Sequence, residues 1–428
     1  MLDSAIGDKP KFDVSIILIY LALVVIGWIS IYSSAPVEIH GSIFDFDEVY
    51  GKQFLWIVLS VALIVLIFAI EVKFFEQFAG VIYVVSLLSL AGLYVFGKEI
   101  SGATSWYPIG SMSLQPSEFA KFATALALAK YLSQLDINVK DIKHLLIAGG
   151  IILLPAALIL PQPDPGSALV YGAFFFALHR EGLSLWFLML GVIALALFIG
   201  SLLIGPWWIA VISLVLIAVL FALSRKRYKK RRTSKPQVSW FITALIACIA
   251  FGFATDFIFE NVFQERHRNR INIVLGRLND SQGVEYNIIQ SEIAIGSGGF
   301  AGKGLLKGTQ TQGGFVPEQH TDFIFSAIGE EFGLLGAGTV VILFMVLIYR
   351  LVIMAERQRN QFARIYGYGV AGILFVHFFV NVGMVLGLLP TVGIPLPFMS
   401  YGGSGLWGFT VLLFIFVKLD AHRMSYQH

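Results

Sequence analysis

Stretches of about 20 apolar residues, the length a helix needs to cross the roughly 30 Å hydrocarbon core of a bilayer, recur along this chain between short polar or Gly/Pro-rich breaks. Some twelve are distinguishable, at residues 14–33, 54–70, 78–96, 118–135, 145–160, 167–179, 185–204, 207–223, 238–257, 334–354, 366–388 and 406–419. Backbone polar groups in lipid must find partners within their own segment, so repeated runs of this kind predict an all-α polytopic membrane protein. The composition agrees: 57% of the 428 residues are hydrophobic and 13% are charged, against about 25% charged in an ordinary soluble domain. The single cysteine, Cys248, lies inside an apolar run. It excludes an intrachain disulfide and any cysteine-rich metal site.

The formal net charge of +3 is too near balance to suggest a nucleic-acid partner, so the placement of charge matters more than its total. If the N-terminus is inside, most of the 30 Lys and Arg residues fall on inner segments and the short outer loops hold only Lys52 and Lys98, as the positive-inside rule requires. The expected location is a cell membrane, with both termini cytoplasmic. The first run follows Lys9 and Lys11 and exceeds a signal peptide's apolar region, so it is expected to remain as an anchor. Residues 185–223 are too long for one span, and Gly205-Pro206 supplies a turn that makes two. That hairpin keeps the run Arg225, Lys226, Arg227, Lys229, Lys230, Arg231, Arg232 and Lys235 inside, where it sets topology or meets anionic lipid heads. No internal repeat is visible. The chain reads as one membrane domain over 1–428, with the hairpin and basic loop at 185–235 and a large outer loop at 259–321.

Ionisable groups inside a span are costly and therefore mark candidate sites. Glu118 and Lys121 share a helix face through their i,i+3 spacing, just after Gln115-Pro116-Ser117. They form either a neutralising pair that fixes helix packing or the charged wall of an outward-facing cavity. The preceding outer segment, residues 101–108, carries Trp106, suited to the membrane interface or to stacking on a sugar. Asp164 sits in the outer turn Gln162-Pro163-Asp164-Pro165-Gly166, as a turn-forming or a site carboxylate. In the long loop, glycines from Gly296 to Gly308 flank Lys303. They serve as a flexible connector or let backbone approach a phosphate, though Lys303 is followed by Gly304 and the spacing is not that of a P-loop. Asp322 begins an apolar helix, either answering its dipole or acting as a general base beside apolar surface. His320 stands two residues before it and fits a structural or a catalytic role. The last outer loop runs through Ser400-Tyr401-Gly402-Gly403-Ser404, an irregular segment tolerated at membrane depth where it lines a cavity or is buried in protein.

Four of these motifs, in this order, resemble the SEDS family (shape, elongation, division, sporulation), and within it the RodA-type branch of peptidoglycan glycosyltransferases. They are Gln115-Pro116-Ser117-Glu118-Phe119-Ala120-Lys121, the segment from Ile289-Gln290-Ser291 to Gly304, Pro317-Glu318-Gln319-His320-Thr321-Asp322-Phe323, and Ser400-Tyr401-Gly402-Gly403-Ser404. The resemblance covers nearly the whole chain. Two departures stand out. Ser105 precedes Trp106 where members often carry arginine, and the hairpin at 185–223 is extra to the family's ten spans.

The resemblance implies polymerisation of lipid II, a disaccharide-pentapeptide on undecaprenyl pyrophosphate, at the extracytoplasmic face of the bacterial cytoplasmic membrane. It implies Asp322 as catalytic base, with Gln115, Glu118, Lys121, Trp106, Asp164, His320, Lys303 and Ser404 around the substrate. It also implies a class B penicillin-binding protein as transpeptidase partner. A divalent cation, Mg²⁺ or Mn²⁺, is expected on the substrate phosphates, and no organic cofactor is expected. A lipid II flippase is the competing reading, because an intramembrane Glu–Lys pair and irregular loops also suit a transporter. A scaffold that only recruits the transpeptidase is a third.

Overall fold

The computed structural model describes residues 12–35, 44–100, 102–110, 112–231, 237–277 and 284–423. Lys9, Lys11, Ser101, Arg232 and Lys235 lie outside the described residues. The chain divides into two compact units, Met1–Leu183 with Ser281–His428, and Ser184–Asp280. The second unit therefore takes in more than the 185–235 insertion expected from the sequence.

The first unit opens with α1 (Val14–Ser33), α2 (Val49–Ala69), α3 (Val72–Gln77) and α4 (Ala79–Phe96). A three-stranded antiparallel sheet follows, of β1 (Lys98–Ile100), β2 (Ala103–Ile109) and β3 (Met112–Leu114). Then come α5 (Pro116–Leu132), α6 (Ile142–Ile159), α7 (Pro165–Leu169), a 3₁₀ segment (Val170–Ala173) and α8 (Phe174–Arg180). The second unit holds α9 (Trp186–Ile204), α10 (Pro206–Arg231), α11 (Val238–Asn261) and α12 (Glu265–Val274). The chain returns to the first unit with α13 (Val284–Gly298), α14 (Thr309–Gln312), α15 (Ile324–Glu356), α16 (Gln361–Val385) and α17 (Gly403–Ala421).

Among the described residues, ten helices are long and apolar enough to cross a membrane. The runs at 118–135 and 167–179 are helical as well, but α5 has 17 residues and the second run is broken by the 3₁₀ segment. The physical reason is their position in the protein rather than in lipid. α5 buries Ala120, Ala123, Ala125, Ala127 and Ala129 and packs against α4, α16 and α17, and small residues allow such close approach. Together with α16 and α17, whose apolar windows are mostly buried, α5 forms the middle of the first unit.

The single large loop expected at 259–321 is instead part helix: residues 284–298 form α13, packed on α15. α15 itself is interrupted at Gly333, whose φ of 61° and ψ of −159° lie far from helical values. The break frees carbonyls that the glycine segment satisfies: Lys303 N donates to the Glu330 carbonyl at 3.0 Å and Gly304 N to that of Glu331 at 2.9 Å. In return Leu334 N donates to the Gly299 carbonyl at 2.9 Å. A broken helix survives at membrane depth when neighbouring protein completes its hydrogen bonds in this way. A side chain at Gly298 would overlap the Gly329 carbonyl, and one at Gly302 would overlap that of Glu331. These glycines serve close backbone packing.

In the second unit, Gly205 at φ 90° and Pro206 form the turn between α9 and α10. The Ser201 hydroxyl donates to the Gly252 carbonyl at 2.9 Å, tying α9 to α11. Trp207 and Trp208 are exposed beside the turn and Trp186 at the start of α9, the placement of an aromatic belt at a bilayer interface.

Candidate functional site

Asp322 sits in the turn before α15 and is half-buried. Phe323 occupies the N-cap position of α15, without a side-chain hydrogen bond. The main chain of Asp322 is fixed from α16, where the Asn381 amide donates to the Asp322 carbonyl at 2.8 Å and to the Ile394 carbonyl at 2.7 Å. The same contact brings the loop before α17 against it. A Cβ on Gly393 would stand 3.5 Å from Asp322 Oδ2. The Ser400 hydroxyl donates to the Thr321 carbonyl at 2.6 Å and accepts from Leu396 N at 2.8 Å, while Tyr401 N donates to the His320 carbonyl at 2.7 Å. Gln53 of α2 fastens the far side, accepting from Gly402 N at 3.1 Å. Residues 320–322 and 393–402 thus form one stitched unit built by segments about 80 residues apart in sequence.

His320 Nδ1 lies 3.1 Å from the Ser34 hydroxyl. Burial pushes its pKa down to about 4, so the ring is neutral at pH 7 and holds the end of α1 instead of presenting a cation to phosphate.

Glu118 and Lys121 are 3% and 2% exposed. Lys121 Nζ donates to Glu118 Oε1 at 2.7 Å and to His377 Nε2 at 2.9 Å, and stands 5.0 Å above the Phe409 ring. The ammonium is buried and paired, as burial of an unpaired charge would be prohibitive. Glu118 Oε2 is buried with no partner.

Gln115, Asp164 and Ser404 meet as a third group. Gln115 Nε2 donates to Asp164 Oδ2 at 3.2 Å, and Gln115 N donates to Ser404 Oγ at 3.1 Å. Asp164 also accepts from Ser167 N at 2.9 Å, capping α7, as its turn-forming reading requires. Trp106 lies half-buried on β2, paired with Lys98 across the sheet, and the neighbouring Ser105 hydroxyl is buried without a partner. Tyr107 anchors the same strand, its hydroxyl donating to the Ser89 carbonyl at 2.7 Å.

Lys303 is not brought to these groups by any hydrogen bond. Its ammonium lies 2.7 Å from Glu330 Oε1, and Glu330 also accepts from Gln310 N and Thr311 N, both at 2.9 Å. Lys303, expected around the substrate, is held as the partner of a wholly buried carboxylate. Among the described residues, no three His, Cys, Asp or Glu side chains are grouped to hold a metal ion. The carboxylates present do not fit a resident metal centre.

His377 and Asn381 beside these groups, and Glu330 beside Lys303, escaped the sequence reading. The first two stand i,i+4 in an apolar helix, the spacing rule that singled out Glu118 and Lys121.

Residues 13–235 and 233–425 match the FtsW/RodA/SpoVE family of cell cycle proteins. The chain belongs to this family. It is 32% identical to the peptidoglycan glycosyltransferase MrdB of Escherichia coli K12, over 97% of this chain and 95% of that protein. It is 33% identical to the peptidoglycan glycosyltransferase RodA of Treponema pallidum, over 98% and 100% respectively. A chain of a solved peptidoglycan synthase complex, described for its coordination of polymerization and crosslinking, superposes with a TM-score of 0.70 at 26% identity, covering 98% of this chain and 99% of that one. The rod shape determining protein RodA of Thermus thermophilus shares the fold, with a TM-score of 0.61 at 23% identity and coverage of 98% and 99%. The FtsW/RodA/SpoVE match runs across both units.

Proposed function

We propose that this multi-pass membrane protein is a peptidoglycan glycosyltransferase that polymerises lipid II into glycan strands for cell elongation. Asp322 takes the proton from the 4-hydroxyl of the acceptor's N-acetylglucosamine. The freed oxygen attacks C1 of the lipid-linked donor, the C1–O bond to undecaprenyl pyrophosphate breaks, and the α-linkage is inverted to β. A base must be held within hydrogen-bond reach of its proton. The observation that carries the reading is the clamp on Asp322: its main chain is pinned by Asn381, and glycine stands beside its carboxylate.

Gln115, Asp164 and Ser404 shape the mouth of α5, with Trp106 and Ser105 on the adjoining strand. Lys121, held by Glu118 and His377, orients α5. Mg²⁺ or Mn²⁺ would enter on the substrate phosphates with few protein ligands, and no step above runs through a metal held by the protein. Both termini are cytoplasmic and Asp322 faces the extracytoplasmic side. The partner is a class B penicillin-binding protein, a reading supported by the likeness to a synthase complex that couples polymerization to crosslinking.

The test is glycan synthesis from purified lipid II by the protein with its transpeptidase partner, comparing wild type with Asp322→Asn. Asparagine keeps the shape and cannot take the proton. Long glycan from wild type and none from a folded, partner-bound variant supports the reading, whereas equal product from both removes Asp322 from the mechanism. A flippase, the reading that the buried Glu118–Lys121 pair would also suit, would move lipid II equally well with either residue at 322.

A further inference from the structure

α16 is an apolar helix with two buried polar side chains one turn apart, His377 at 1% and Asn381 at 0% exposure. A polar group so placed needs a reason. Asn381 has one in the clamp on Asp322, whereas His377 lies outside the mechanism given above. Its ring joins two regions far apart in sequence. Nε2 lies 2.9 Å from Lys121 Nζ, and Nδ1 lies 3.2 Å from the Pro395 carbonyl. An ammonium has only protons to give, so Nε2 is the acceptor; the proton of the neutral ring then sits on Nδ1 and is donated to Pro395. Phe409 closes the ring edge-on at 4.7 Å. Pro395 adjoins Ile394, whose carbonyl shares the Asn381 amide with Asp322, and Gly393 lies against Asp322 Oδ2.

We propose that His377 is a positioning residue that holds the 393–396 loop through the Pro395 carbonyl and so sets where the Asp322 carboxylate stands relative to the acceptor hydroxyl. The proposal rests on Asp322 being the base. Its two contacts are separable, because an asparagine amide falls near the Nδ1 position of histidine and a glutamine amide near Nε2. The Pro395 contact is the one that reaches Asp322, so asparagine is the substitution that preserves the function.

The experiment measures kcat and KM for lipid II with the full chain and its transpeptidase partner, for wild type, His377→Phe, His377→Gln, His377→Asn and Asp322→Asn. His377→Phe and His377→Gln are expected to lose about tenfold or more in kcat with KM within about threefold, and His377→Asn to recover most of the loss. The acid limb of the kcat–pH profile shifts in the Phe and Gln variants, because the environment of the Asp322 carboxylate has changed. A ring that merely filled space would leave that limb in place and make Asn and Gln equivalent. Wild-type kcat in His377→Gln, or equal loss in the Gln and Asn variants, overturns the proposal. If His377→Phe does not yield a folded complex, the Asn and Gln pair decides. Activity in Asp322→Asn sinks the base and this proposal together, while an inactive Asp322→Asn beside a fully active His377→Gln removes His377 alone.

Discussion

The Asn381 amide nitrogen lies 2.8 Å from the main-chain oxygen of Asp322 and 2.7 Å from that of Ile394, so one side chain of α16 fixes both the residue before α15 and the loop that covers it. Both carbonyls are held within protein, and each loses its donor if the amide is removed. Leaving a buried polar group unpaired costs about 1–3 kcal/mol. Asn381→Ala is therefore expected to lower the thermal midpoint and to reduce glycan synthesis at least as much as it reduces stability. Asn381→Asp should be worse, since an ionised carboxylate has no proton to give and would face two carbonyl oxygens. Parallel melting curves and lipid II polymerisation rates check the order Asn, Ala, Asp.

Glu330 and Lys303 are expected to respond unequally to substitution. The Glu330 side chain is wholly buried and accepts from Thr309, Gln310 and Thr311 as well as from Lys303, whose side chain is 25% exposed. Glu330→Gln turns an amide NH₂ toward the Gln310 and Thr311 main-chain N–H groups, leaving buried donors facing donors at a cost of about 1–3 kcal/mol each. Lys303→Met leaves the carboxylate with its loop donors and costs less, because a partly solvated cation contributes less. Limited trypsin digestion reads the difference at the exposed Lys307: rapid cleavage is expected in Glu330→Gln, and cleavage near the wild-type rate in Lys303→Met.

Much of this arrangement was legible in the chain and part of it was not, for identifiable reasons. The spans are visible because twenty apolar residues in a row have few other uses, and Glu118 with Lys121 because charge inside a span is conspicuous. Asp322 stands out as an acid at the start of an apolar run. Glu330 does not, since its donors lie 19 to 27 residues away and meet it only after the chain folds. Gly298 and Gly302 have the composition of a phosphate loop, yet both are consumed by backbone packing against residues 329–331, which no local pattern encodes. The sheet at 98–114 escaped because two of its strands have three residues. The pairing of Ile109 with Met112 around Gly110 was its only local signal.

His320 gives the stability of the protein an acid-side slope. Burial holds its pKa at about 4 in the folded chain, below the ordinary 6.5. Between those values the unfolded chain binds the proton and the folded chain does not, so stability rises with pH from about 4 to 6.5 and is independent of this residue above and below. His320→Asn keeps a polar group near the Ser34 hydroxyl and cannot titrate. Thermal midpoints recorded from pH 4 to 7.5 should converge less steeply on the acid side for the variant than for wild type. Identical slopes would assign the acid sensitivity to other groups.

Gly333 is the position where the break in α15 is least replaceable. Its backbone at φ 61° and ψ −159° is one that residues with a Cβ adopt at a cost of about 1–3 kcal/mol. A Cβ there would also overlap Gly302 N and come within 2.7 Å of the Phe300 carbonyl. Relief requires the 299–304 segment to withdraw, which removes the donors from the Glu330 and Glu331 carbonyls. Gly333→Ala should accordingly lose most of the folded protein, or retain it with a strongly lowered midpoint and exposed cleavage at Lys307. At Gly338, further along the same helix, a Cβ would meet nothing within 4 Å. Gly338→Ala is expected to be neutral or slightly stabilising, since alanine is the better helix former. Yield and thermal midpoint for the two alanine variants separate a requirement for this backbone shape from a general intolerance of α15 to substitution.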